Sequence, residues 1–134
     1  MRRKLLNSAR IRLFKLDYEK VINELKEYAN RVISRGAVAV ILVGSLARGD
    51  YTAFSDADVI VIANNVPSNP MERLKDFMDS SLSVDLQPRV FTVKEFFKMA
   101  KDRRRIIGEV VKYGILLAGD RGIIEKVRKE FLGG

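Results

Sequence analysis

Residues 44–62 read GSLARGDYTAFSDADVIVI, with apolar runs on both sides: Ala37 to Val43 before the glycine and Val59 to Ala63 after Asp58. The first run predicts a strand that delivers the chain to Gly44, and the second a strand that carries Asp56 and Asp58. Two residues apart on a strand, these carboxylates share one face. They repel each other unless a cation lies between them. Gly44 and Ser45, opening a short helical turn beside them, offer backbone N–H groups to an anion. A cation site next to an anion site is suited to a metal–nucleotide complex.

Composition narrows the chemistry further. The chain has 134 residues, 47% apolar and 31% charged, which fits one hydrophobic core and a globular domain. It contains neither cysteine nor histidine, which excludes thiol nucleophiles, thiolate zinc sites and imidazole bases. Acid–base work then falls to Asp, Glu, Lys or Tyr, and any metal is a hard one held by oxygen. No apolar run approaches the ~20 residues needed to span a bilayer. The basic start, with Arg2, Arg3 and Lys4, lacks the uninterrupted apolar segment of a signal peptide, so a cytoplasmic protein is expected.

The formal charge of +8 is unevenly spread. Residues 1–35 and 89–134 each carry a net +6, whereas residues 36–88 carry −4. The acidic centre coincides with Asp56 and Asp58, and its basic flanks suit polyphosphates, nucleic acid or an acidic protein.

Periodicity supplies the remaining elements. Val21, Leu25, Tyr28 and Val32 mark a helix from Asp17 to Ile33, capped by Asp17 and stopped at Ser34 and Gly36. Residues 2–16 alternate apolar and basic groups and read as an arm or extra helix, preceding a single domain at 17–134. A short helix is expected at Met71 to Met78, and a third strand at Leu82 to Leu86, ended by Pro88. Thr92 caps a helix to Ala100 with Glu95 at the capping-box position. Residues 103–117 read as helical, and a last helix runs from Arg121 to Phe131. The expected architecture is α/β (α+β): a small mixed sheet with helices mainly on one side.

The 44–62 stretch resembles the signature of the polymerase beta-like nucleotidyltransferase superfamily, and in particular its minimal single-domain members. The matching positions are Gly44, Ser45, Ala47, Arg48, Gly49, Ser55, Asp56, Asp58 and the strand from Val59. The resemblance implies a third carboxylate on a neighbouring strand, for which Asp85 in SVDLQP fits and Asp79 is the alternative. It further implies that Asp56, Asp58 and Asp85 hold two Mg²⁺ ions. Gly44 and Ser45 then contact the triphosphate of ATP or another NTP, while Arg48 and Gly49 shape that pocket.

The function implied is Mg²⁺-dependent transfer of a nucleoside monophosphate, AMP from ATP, to a hydroxyl with release of pyrophosphate. In this superfamily minimal members pair with a small all-helical, RNase-like partner as antitoxins, in some cases adenylylating a tyrosine on it. Two alternatives stand beside it: a non-catalytic antitoxin acting by binding alone, and a nucleic-acid-binding module. The last lacks any helix-turn-helix, zinc or aromatic-interleaved basic pattern. An apolar N-terminal arm also leaves a homo-oligomer open.

Overall fold

The computed structural model describes residues 16–133. The expected arm at 2–16 lies outside the described residues except for Leu16, which packs against the core. Helix α1 (Tyr18–Ser34) begins at Asp17, whose carboxylate accepts from the Lys20 amide, and buries Val21, Leu25, Tyr28, Ala29 and Val32. Beyond Arg35 the chain turns at Gly36, with φ +109°, a conformation that glycine adopts without strain. Strand β1 (Ala39–Val43) is buried at every position and leads into the short helix α2 (Ser45–Arg48). Strand β2 (Ala57–Ile62) and helix α3 (Pro70–Leu74) follow. Then come β3 (Leu86–Phe91), α4 (Val93–Lys101), α5 (Arg105–Tyr113), β4 (Ile115–Gly119) and α6 (Arg121–Gly133).

The sheet has the order β3-β2-β1-β4. β1 is antiparallel to both β2 and β4, whereas β2 and β3 run parallel, so the sheet is mixed as expected. Alternation divides the core. Val40, Leu42, Val59 and Val61 face α1, whereas Ala39, Ile41, Ile60 and Ile62 face a layer containing Phe96, Ile107, Val110, Ile123 and Val127. Among the described residues, α4, α5 and α6 thus share one face, while α1, with Leu46, Phe77 and Val84, covers the other. No described helix is long and apolar enough to cross a membrane.

Two expected elements are corrected. The third strand runs over Leu86–Phe91 rather than Leu82–Leu86, with Pro88 inside it. The Ala57 amide donates to Asp85 O at 2.8 Å and the Ala63 amide to Phe91 O at 2.9 Å. The odd-numbered residues of β3 therefore bond to β2, and the nitrogen of Pro88 falls on the open edge, where no donor is needed. On that edge the buried Arg73 guanidinium donates to Val90 O at 3.0 Å and holds both Glu95 oxygens, at 2.7 and 3.1 Å. The second correction concerns residues 103–117. Helix α5 ends at Tyr113, and Ile115–Gly119 forms β4 beside β1. Gly114, with φ −57° and ψ 137°, is already extended. Its backbone lies so close to Val110 O that a Cβ would stand 2.5 Å from it. The Thr92–Glu95 capping box forms as expected, with bonds of 3.1 and 2.8 Å.

Candidate active site

At the end of β1 the chain reverses through Gly44, at φ +77° and ψ −162°. The β1–β2 register sets Val43 opposite Asp58, so this turn comes down onto the Asp58 side chain. A Cβ on Gly44 would lie 2.4 Å from Asp58 Oδ2. Glycine is required here by both its backbone angles and its neighbour. After one helical turn Gly49, at φ +93°, ends α2 with its N–H on Ser45 O at 2.9 Å. The following loop is tied back by Tyr51, stacked on Tyr18 at 5.2 Å, and by Ser55 Oγ, which accepts from the Thr52 amide at 2.8 Å. That loop returns the chain to Asp56.

Asp58 is half-buried between the glycine turn and α5, whereas Asp56, expected within the strand, lies one residue before β2 and is exposed. Burial is the main cause that raises the Asp58 carboxyl above the usual aspartate range. Arg89 opposes that shift, Asp56 and Glu109 add to it, and Arg48 opposes it again. A cavity of about 220 Å³ opens here, lined by Gly44, Ser45, Arg48, Asp58, Arg89 and Glu109 among others. Gly44, Ser45, Arg48 and Asp58, all singled out in the sequence, are thus gathered around one space. Gly49 shapes the turn without lining it.

Asp85 stands immediately before β3 and is exposed. Its carbonyl receives the Ala57 N–H, which sets it level with Asp56 one strand away. Asp79 has other work: it pairs with Arg31 of α1 at 2.8 Å and accepts from the Ser81 amide and hydroxyl. Among the described residues no three Asp, Glu, His or Cys side chains stand close enough to hold one ion. The donors are nonetheless all oxygen, and Mg²⁺ is commonly held by one or two carboxylates together with substrate phosphates rather than by a protein cage. Asp56 and Asp58 fit that chemistry.

Two residues at the cavity were not legible beforehand. Glu109, on α5, accepts from the Gly44 N–H at 3.1 Å and from the Arg48 guanidinium with the same oxygen. Arg89, on β3, pairs in register with Ile60 and so points to the Asp58 face. A lone acid within the apolar run IIGEVV was the available signal for Glu109. A strand that ends at Pro88 leaves Arg89 outside the sheet, whereas β3 runs on through it.

A family profile described as nucleotidyltransferase domain matches residues 18–117. Over 111 residues the chain is 32% identical to the bifunctional uridylyltransferase/uridylyl-removing enzyme of Methylococcus capsulatus, taking in 79% of this chain but 12% of that far longer protein. A Methanocaldococcus jannaschii protein named "Putative protein adenylyltransferase" is 30% identical over 98 residues, covering 72% of this chain and 94% of its own. The fold is similar, at TM-score 0.52 and 17% identity, to a chain in the solved complex of tri-AMPylated Shewanella oneidensis HEPN toxin with MNT antitoxin; 87% of this chain and 84% of that one are covered.

Proposed function

This chain belongs to the nucleotidyltransferase domain family, and from that premise we propose that it transfers AMP from ATP to a hydroxyl of a partner protein. In this reading residues 17–134 act as one domain, and the partner is a small helical protein that the transfer or the complex neutralises. The observation that carries the reading is the approach of Gly44 to Asp58. It puts anion donors, the Gly44 N–H and Arg48, on the same cavity as a carboxylate that burial leaves short of positive charge. A polyphosphate with its cation supplies both missing charges at once.

Asp56 and Asp58, together with the substrate phosphates, would hold Mg²⁺, which when bound would neutralise phosphate charge and ease deprotonation of the acceptor. Gly44 N–H, Ser45 and Arg48 orient the triphosphate. The acceptor oxygen attacks the α-phosphorus, a new P–O bond forms, the α–β bridge breaks and pyrophosphate leaves. With no histidine in the chain, Asp85 would receive the hydroxyl proton.

The test incubates the protein with α-labelled ATP, Mg²⁺ and the product of the neighbouring reading frame. Label on that product with the parent, and none with Asp56→Asn or Asp58→Asn, is expected. Neutralisation of the partner with no label under any of the four nucleotides would replace transfer by binding alone.

A further inference from the structure

We propose that Glu109 is an internal occupant of the phosphate donors, a carboxylate latch that the nucleotide must displace before it can bind. The inference rests on the reading of Gly44 and Arg48 given above. One oxygen of Glu109 holds both of these donors. A carboxylate on a backbone N–H and a guanidinium makes the same charge-assisted contacts that a phosphate oxygen would make.

The latch has a fixed base and a movable head. Ile107 and Val110, on either side of Glu109 in α5, are 0% and 2% exposed, so the helix itself is pinned to the sheet. The Glu109 side chain is 28% exposed and that of Arg48 35%, so water and ligand reach the contact. Glu109 also lines a second cavity, of about 480 Å³, whose wall carries Arg89, Arg104 and Arg105. A turn about its side-chain bonds carries the carboxylate from the Arg48 side to these arginines. The displaced charge therefore has a second place to rest, and both positions are polar and wet. A two-position side chain of this kind lowers apparent affinity by the fraction of time it covers the donors. It admits polyphosphates, which bring several charges to the contest, in preference to weak single anions.

The test measures binding of AMP-PNP with Mg²⁺ by calorimetry to the parent, Glu109→Gln, Glu109→Asp and Asp50→Asn. The aspartate keeps the charge and loses the reach. Asp50 also pairs with Arg48, at 3.3 Å, and its removal leaves the Glu109 contact with Gly44 in place. The latch predicts roughly five- to thirty-fold tighter binding for both Glu109 variants and less than about twofold change for Asp50→Asn. The Gly44 amide resonance of Glu109→Asp without ligand should also differ from the parent's.

Tightening in Glu109→Gln and Asp50→Asn alike, with Glu109→Asp unchanged, would mean simple charge repulsion and would overturn the latch. Weaker binding in Glu109→Gln would make it a ligand or positioning group, again against the latch. Binding by the parent with no gain in either Glu109 variant defeats the latch alone. Absence of binding in all four proteins defeats the nucleotide reading and the latch with it, whereas binding confined to the Glu109 variants supports both. Should Glu109→Gln fail to fold, Glu109→Asp decides.

Discussion

Replacing Gly44 by alanine sets the backbone and the site against each other in a measurable way. At φ +77° and ψ −162° the residue occupies a region that is essentially restricted to glycine, at a cost of about 1–3 kcal/mol for any other residue. The added Cβ would also stand 2.4 Å from Asp58 Oδ2, about 1 Å inside an ordinary contact. Forcing the carboxylate aside in this half-buried place adds a further ~1–3 kcal/mol. A total loss of about 2–6 kcal/mol follows, together with a displaced Asp58. Gly49→Ala is the matched control, because its φ of +93° is also strained but nothing lies within 4 Å of its would-be Cβ. That variant should lose only about 1–2 kcal/mol and keep its site. Urea unfolding gives both stability losses, and calorimetric titration with Mg·ATP gives both affinities. We expect roughly ten- to hundredfold weaker binding in Gly44→Ala, as a charge-assisted contact is lost, and little change in Gly49→Ala. If the two variants match in stability and both bind as the parent does, the close approach of Gly44 to Asp58 has no part in binding.

Three further outcomes are expected. Asp85→Asn should retain most of the Mg·ATP affinity yet abolish labelling of the partner, since an effect confined to the transition state leaves ground-state binding intact; loss of both together would place Asp85 among the nucleotide-binding groups. Glu95 is held at about 2, chiefly by the buried Arg73 guanidinium and then by the Thr92 N–H. Its folded value lies below the unfolded one, so its stabilisation is complete above the unfolded value of 4.5 and is lost as pH falls toward 2. With the carboxylate 44% exposed, solvent screening reduces the full linkage figure to about 1–2 kcal/mol; urea midpoints of parent and Glu95→Gln should converge on acidification, and parallel curves would contradict this. Tyr28→Phe removes a buried hydroxyl that donates to Phe77 O at 2.5 Å and should cost about 1–1.5 kcal/mol in the same assay; a neutral result would mean that this bond contributes nothing net.

How far the fold could be read from the chain depended on whether the deciding force was local. β1, β2 and α1 follow from apolar periodicity and a capping aspartate, which act within a few residues, and they lie where expected. β3 and β4 depended on position in the sheet. Pro88 is acceptable only because the β3 edge is open, and the edge location of β3 is a property of the assembled sheet. Residues 115–119 continue an apolar run that suits helix or strand equally, and the free side of β1 decides between them.

The site divides along the same line. The glycine, the serine and the two aspartates fall within residues 44–58, around one antiparallel pair of strands, so their spacing already contains their geometry. Glu109 and Arg89 reach the cavity from elements whose placement is tertiary, 65 residues beyond Gly44 for the glutamate. These two residues also settle the charges there. Arg48 is paired with Glu109, and Arg89 offsets Asp58, while burial still keeps the Asp58 carboxyl high. The cavity thus balances its cationic and anionic groups against each other across a few ångströms. A lone cation would relieve Asp58 and leave Arg48 held by Glu109; a lone polyanion would free Glu109 but face Asp58 and Asp56. Only a ligand carrying both signs satisfies every group in the cavity. For that reason ATP affinity should depend more steeply on Mg²⁺ here than in water alone, and the dependence should shrink in Asp58→Asn; an ATP affinity that ignores Mg²⁺ in the parent would refute the charge argument at its root.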